Sequence, residues 1–168
     1  MARIERIITE LNRALVAGLL ASVFVIVFAN VVGRYGFGAS LAWVEEAARH
    51  LMILGAFAGA GLALREGRLV AITTLPDFLP EGARKALRWG VVTVMFAFMA
   101  TLLWLGIRFV DFGWNKETMS TGISRGIPYM AIPFGCALFL IHLGLFARRF
   151  VKQDFEFGPD ETATEGEV

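Results

Sequence analysis

The run WVEEAARHLMILGAFAGAGLAL, residues 43–64, decides how this chain is read. It opens on Trp43, Glu45, Glu46, Arg49 and His50, and from Leu51 to Leu64 it carries no charge. Charged groups in lipid are costly unless they are paired or lie near the interface. A helix needs roughly 20 residues to cross about 30 Å of hydrocarbon. Leu51–Leu64 is too short alone, so its helix must reach back to about Glu45. That places Glu45 at the membrane boundary and Arg49 only about 6 Å inside it.

Working outward, three more charge-free runs appear: Leu15–Val32, Trp89–Ile107, and Ile127–Ala147 interrupted by His142. The chain has 168 residues, 57% of them hydrophobic and 18% charged. Four spans leave little for a soluble domain. The fold expected is all-α: an integral membrane bundle of four transmembrane helices with amphipathic interfacial helices. The spans are placed at about 15–34, 41–64, 88–108 and 127–148, within one membrane domain, 15–149.

Basic residues set the orientation. Eleven of the 16 Lys and Arg lie before span one, between spans two and three, or after span four; Arg34, Arg108, Lys116 and Arg125 lie on the other side. The positive-inside rule places both termini in the cytoplasm. The net charge of +1 carries no sign of a nucleic-acid partner.

The flanks are read separately. Ile4, Ile7, Ile8, Leu11 and Leu15 recur at helical spacing with Arg3, Glu5, Arg6 and Glu10 between them. Residues 1–14 are therefore expected to form an amphipathic helix lying on the cytoplasmic leaflet. In the loop after span two, Val70, Ile72, Leu75, Phe78 and Leu79 precede Pro80, which suits a first helical position. Arg84, Lys85 and Arg88 can reach anionic lipid headgroups. Residues 150–168 are acidic and expected to be disordered.

Within the opening run, Glu45 precedes Arg49 by four residues and Glu46 precedes His50 by four, the favourable order for ion pairs on a helix. The cluster is either a self-paired rim or a face for a protein partner. Gly55, Gly59 and Ala63 form a small-residue stripe that lets helices approach closely, inside the bundle or against another subunit. Asn30 is a polar group near the outer end of span one, able to bond a neighbouring helix or headgroups. Cys136, the lone cysteine, reads as a small buried apolar residue.

No catalytic or metal-ligating set is apparent. Of other function classes, a small proton-coupled exporter would use Glu45 or Glu46 as its carrier. A haem-bearing anchor would need His50 and His142 at similar depth, and they fall toward opposite sides.

The run Asn30-Val-Val-Gly-Arg34-Tyr-Gly-Phe, then Trp43-Val-Glu45-Glu46-Ala-Ala-Arg49, then Gly55, Phe57, Gly59, Ala60 and Arg65-Glu-Gly67, resembles the small membrane subunit of TRAP transporters, the DctQ family. Ile127-Pro128-Tyr129 and Ile132-Pro133-Phe-Gly135 resemble that family's fourth span. Where many members carry a His before a β-branched residue, this chain has Leu69 before Val70.

The resemblance implies a non-catalytic inner-membrane subunit. Its partners would be a large, DctM-like permease and a periplasmic, DctP-like substrate-binding protein, for sodium-coupled uptake of an organic acid. It implies no cofactor, with sodium on the large subunit only. Asn30, Arg34, Trp43, Glu45, Glu46, Arg49, Gly55 and Gly59 are then permease-interface or structural candidates. The outer loop from Arg108 to Gly126 is long for a helix connection. It offers Trp114, Lys116 and Arg125 as docking candidates for the binding protein.

Overall fold

A first helix that never breaks sets the shape of the molecule. In the computed structural model, which describes residues 2–66 and 80–152, helix α1 runs from Ala2 to Phe37 without interruption. Its 36 residues extend about 54 Å at the helical rise, well beyond a hydrocarbon layer. The expected interfacial helix and first span are thus one element. No proline interrupts it, and nothing between Leu11 and Leu15 asks the chain to turn. It ends where Gly38 adopts φ +66, a left-handed conformation that glycine enters at little cost, and Ala39 N–H bonds the Gly33 carbonyl at 3.0 Å.

Helix α2 spans Ala42–Arg65. Its start has no side-chain cap of its own. Asn30 serves instead: its Oδ1 accepts the Leu41 N–H at 2.8 Å. The polar residue that the sequence left between a neighbouring helix and headgroups closes the α1–α2 hairpin.

Helix α3, Glu81–Gly113, is again longer than a minimal span at 33 residues, about 50 Å. Pro80 sits one position before the helix, with φ −60 and ψ 152, rather than at its first position. A short turn of helix, α4 (Gly126–Tyr129), leads into α5, Ala131–Lys152. Pro128 and Pro133 interrupt the fourth span at this end. All four long helical stretches are apolar enough to cross a membrane.

The helices stand in a row. Helix α1 packs on α2, α2 on α5, and α5 on α3, so the order in space is α1–α2–α5–α3. The two long helices are the ends of the row and the two short ones its middle. Small residues let the middle pair close up. A Cβ on Gly135 would overlap the Phe57 backbone, and one on Gly61 would lie 2.7 Å from His142 Cδ2. Below this contact Leu64, Val92, Phe139, Leu143, Phe146 and Val151 form a buried apolar cluster.

Gly55 and Gly59 face α1, with ideal Cβ positions 4.0 Å from Leu19 and 3.9 Å from Val16. The stripe therefore serves packing inside this chain. Cys136 is fully buried, as its composition-based reading expects. Leu69, the apolar run 70–79 and the tail from 153 onward lie outside the described residues.

Candidate functional site

Polar chemistry gathers at the two ends of the row. At the end carrying the termini, Glu5, Thr9 and Asn12 follow one another at i, i+4 and i+7 along α1 and are all buried. They point into the protein, whereas Ile4, Ile7 and Leu11 are 65%, 53% and 66% exposed. Of the polar residues expected on the wet face of residues 1–14, Glu5 is turned inward, while Arg3, Arg6 and Glu10 stay exposed. The partners inside explain why. Arg65, at the last turn of α2, is 1% exposed and donates to Glu5 Oε1 at 2.5 Å. Arg149 of α5 reaches the same carboxylate oxygen at 3.4 Å.

His142 of α5 is fully buried, with Asn12 Nδ2 at 3.0 Å from its Nε2 and Arg65 Nη1 at 3.5 Å from its Nδ1. Asn12 Nδ2 also donates to the Ala58 carbonyl at 3.0 Å, and the Arg65 guanidinium lies 5.4 Å from the Phe146 ring centre. Three helices thus share one ionic lock. Arg13 extends it outward to Glu10 at 3.2 Å and Glu66 at 3.4 Å.

The sequence reading missed this lock because it assigned Glu5 and Glu10 to a solvated helix face. The available signal was the helical period of Glu5, Thr9 and Asn12 together with a histidine in mid-span. Arg88, expected at lipid headgroups, instead donates to the Val151 carbonyl at 2.9 Å and ties α3 to the end of α5. Lys85 beside it is exposed, and Arg84 is half-buried.

The opposite end carries a hairpin. After α3, Glu117 and Ser124 pair across an antiparallel bridge. Thr118 N–H bonds Ile123 O at 2.8 Å and Arg125 N–H bonds Lys116 O at 2.7 Å. Gly122, with φ +66, turns the strand back. Ser124 Oγ donates to Trp114 O at 2.6 Å, so the base is closed as well.

Glu46 anchors this hairpin from α2. One carboxylate oxygen accepts the Ser120 N–H at 2.9 Å, and the other accepts the Thr121 hydroxyl at 2.9 Å. The Thr118 hydroxyl lies 2.6 Å from that of Thr121 and donates to it, since Thr121 spends its proton on Glu46. His50 Nε2 stands 3.9 Å from the Glu46 carboxylate, at the edge of an ion pair.

The expected Glu45–Arg49 pair does not form. Both side chains are exposed. An exposed pair gains only about 0–1 kcal/mol against the entropy of fixing two long side chains, so the i+4 spacing alone does not hold it together. Trp43 and Arg34 are also exposed. Two of the expected docking cations are engaged within the hairpin region itself. Lys116 Nζ sits 3.3 Å from the centre of the Phe112 ring, and Arg125 Nε donates to the Glu117 carbonyl at 2.8 Å. Trp114 remains half-exposed.

Among the described residues no group of three His, Cys, Asp or Glu comes together as a metal site. His142 lies against Gly61, eleven residues along α2 from His50, or about 16 Å at the helical rise, so the two cannot grip one haem. Glu46 is committed to the hairpin, which removes it as a free proton carrier. The arrangement is that of a membrane-embedded accessory subunit with one locked end and one presented loop.

The chain belongs to the DctQ family, whose model, described as the DctQ component of tripartite ATP-independent periplasmic transporters, matches residues 23–153. It is similar to a putative TRAP transporter small permease protein of Haemophilus influenzae, 31% identical over 78% of this chain and 81% of that protein. It is also similar to the ectoine TRAP transporter small permease protein TeaB of Halomonas elongata, 29% identical over 80% of this chain and 71% of the relative. The sialic acid TRAP transporter permease protein SiaT of Haemophilus influenzae is 29% identical over 75% of this chain but only 20% of its own length. The protein is thus a multi-pass inner-membrane component of a TRAP transporter, the small permease subunit of a complex with a large permease, and not an enzyme.

Proposed function

We propose that this subunit braces the large permease in the bilayer and presents the 114–125 hairpin to a periplasmic substrate-binding protein, for sodium-coupled uptake of an organic acid. The observation that carries the reading is the hairpin itself. A connection between two membrane helices has no need of a bridged, side-chain-anchored turn; such order suits a surface that meets a partner. Sodium and the transported solute are held by the large subunit. The relatives named for ectoine, sialic acid and isethionate support a small, polar solute bearing an acid group.

The orientation that this requires puts both termini in the cytoplasm, supported by eleven Lys and Arg on the termini side against four, Arg34, Arg108, Lys116 and Arg125, on the other. The test is uptake by the reconstituted two-subunit permease at graded binding-protein concentrations. Deletion of residues 118–122 should raise the half-saturating concentration, with the membrane complex still intact. An unchanged titration curve would reject docking at this loop. An impermeant maleimide should label Met119→Cys in intact cells and Lys85→Cys only after permeabilisation; the reverse pattern would overturn the topology.

A further inference from the structure

Met119 sits at the tip of the hairpin and is 93% exposed, the most exposed of the large apolar side chains in the described part of the chain. Directly after it come Ser120 and Thr121, the two residues that Glu46 grips through one backbone N–H and one hydroxyl. The loop cations expected to meet a partner are turned back onto Phe112 and the Glu117 carbonyl. The loop therefore spends two of its cations on its own shape and offers an apolar thioether outward.

We infer that the contact surface for a soluble protein partner is the hairpin tip centred on Met119, and that Glu46, from a different helix, is the residue that positions it. This rests on the docking reading above and names the surface and its anchor. Three observations support a protein rather than a lipid occupant. The tip is flanked by Glu117, Thr118, Ser120, Thr121 and Gly122, whose polar groups have no place in hydrocarbon. The hairpin bonds its two arms to each other and its tip to α2, an ordered shape that leaves Met119 facing outward. Methionine is a flexible, polarisable side chain suited to adaptable contacts with a partner that must bind and leave.

The anchor is economical in its geometry. Glu46 has a side chain only 14% exposed, and both of its oxygens are used. Removing the carboxylate frees the Ser120 N–H and the Thr121 hydroxyl together, so the tip loses its only attachment to α2 among the described contacts. Binding must then order the loop each time. That ordering weakens affinity without touching the transport step.

The experiment uses the intact permease complex in liposomes with purified binding protein outside. A nitroxide on Met119→Cys reads the mobility of the tip; the native Cys136 is buried and does not compete. Glu46→Ala should sharpen that spectrum, whereas Glu46→Gln, which retains an acceptor for Ser120 N–H, should stay close to the parent. In unlabelled complexes, Glu46→Ala should raise the half-saturating binding-protein concentration about tenfold, the loss of roughly one charge-assisted hydrogen bond, at unchanged maximal uptake. Met119→Ser should raise it comparably, and Glu46→Gln should restore most of the loss.

An immobile label in Glu46→Ala overturns the anchoring. A mobile label with an unchanged half-saturation overturns docking at the tip, and the reading of the whole loop with it. A fluorophore on Met119→Cys supplies the remaining distinction. Emission that shifts to the blue only on addition of binding protein supports a protein contact. Emission already blue-shifted in the membrane alone overturns it in favour of lipid.

Discussion

Glu5 and Glu46 are the same residue type at opposite ends of one row of helices, and they do different work because their surroundings differ. Glu5 lies buried against Arg65 and Arg149, with His142 and Asn12 completing the enclosure. Its charge belongs to the interior, and its loss takes from the buried Arg65 guanidinium its closest acceptor. Glu46 lies at the rim and bonds neutral groups, a backbone N–H and a hydroxyl. It shapes a loop without supporting the fold. A charge placed among charges in the interior becomes structural, whereas a charge placed among hydroxyls at the edge becomes a handle on presentation.

The largest effect expected on either side of this comparison is at the lock. Glu5→Ala or Arg65→Ala should each destabilise the subunit by up to about 3–5 kcal/mol, because each removes the closest charge partner of a buried group, which Arg149 or His142 replaces only in part. Membrane levels and the detergent melting temperature report this. Arg65→Met combined with Glu5→Leu should recover much of the loss. Equal damage from the double and single variants would show that the charges matter beyond mutual neutralisation.

A comparable but purely steric effect is expected where the middle helices touch. Gly135→Ala should destabilise by about 1–3 kcal/mol, since its Cβ meets Phe57 backbone that cannot step aside. Gly59→Leu tests the next packing face. Its Cβ lies 3.9 Å from Val16, so the added bulk pushes on α1 and the subunit itself should be depleted. Normal subunit levels with loss of the permease partner would move the stripe to an external interface.

The smallest effects belong to the rim. Glu46→Ala should change subunit stability by no more than about 1 kcal/mol, while altering the dependence on binding protein. Glu45→Ala and Arg49→Ala should each fall within about 0.5 kcal/mol of the parent and add in the double variant, as unpaired exposed residues do. A coupling beyond that range in a double-mutant cycle would restore the pair that the sequence spacing suggests.

The spans and the packing use of Gly were legible because each rests on local patterns: charge-free length and small residues four apart. What escaped depends on contacts between distant residues. Glu5, Thr9 and Asn12 look like a wet face until Arg65 and His142 are known to stand opposite. The i+4 spacing pointed to Glu45–Arg49, yet Glu46 found Ser120 and Thr121, more than seventy residues away. Lys116 and Arg125 read as steering charges because nothing in their own stretch shows the aromatic ring and carbonyl that hold them. Spacing tells which side chains share a helix face; it does not tell which other element arrives there.

The single-file order α1–α2–α5–α3 has one more consequence. A sheet of helices one layer deep has no lumen. Among the described residues adjacent members meet through packed side chains, and α1 also reaches α5 at the lock. Among the described residues the row encloses no conduit of its own, and on the proposed reading a solute crossing alongside it travels between walls that the neighbouring subunit supplies.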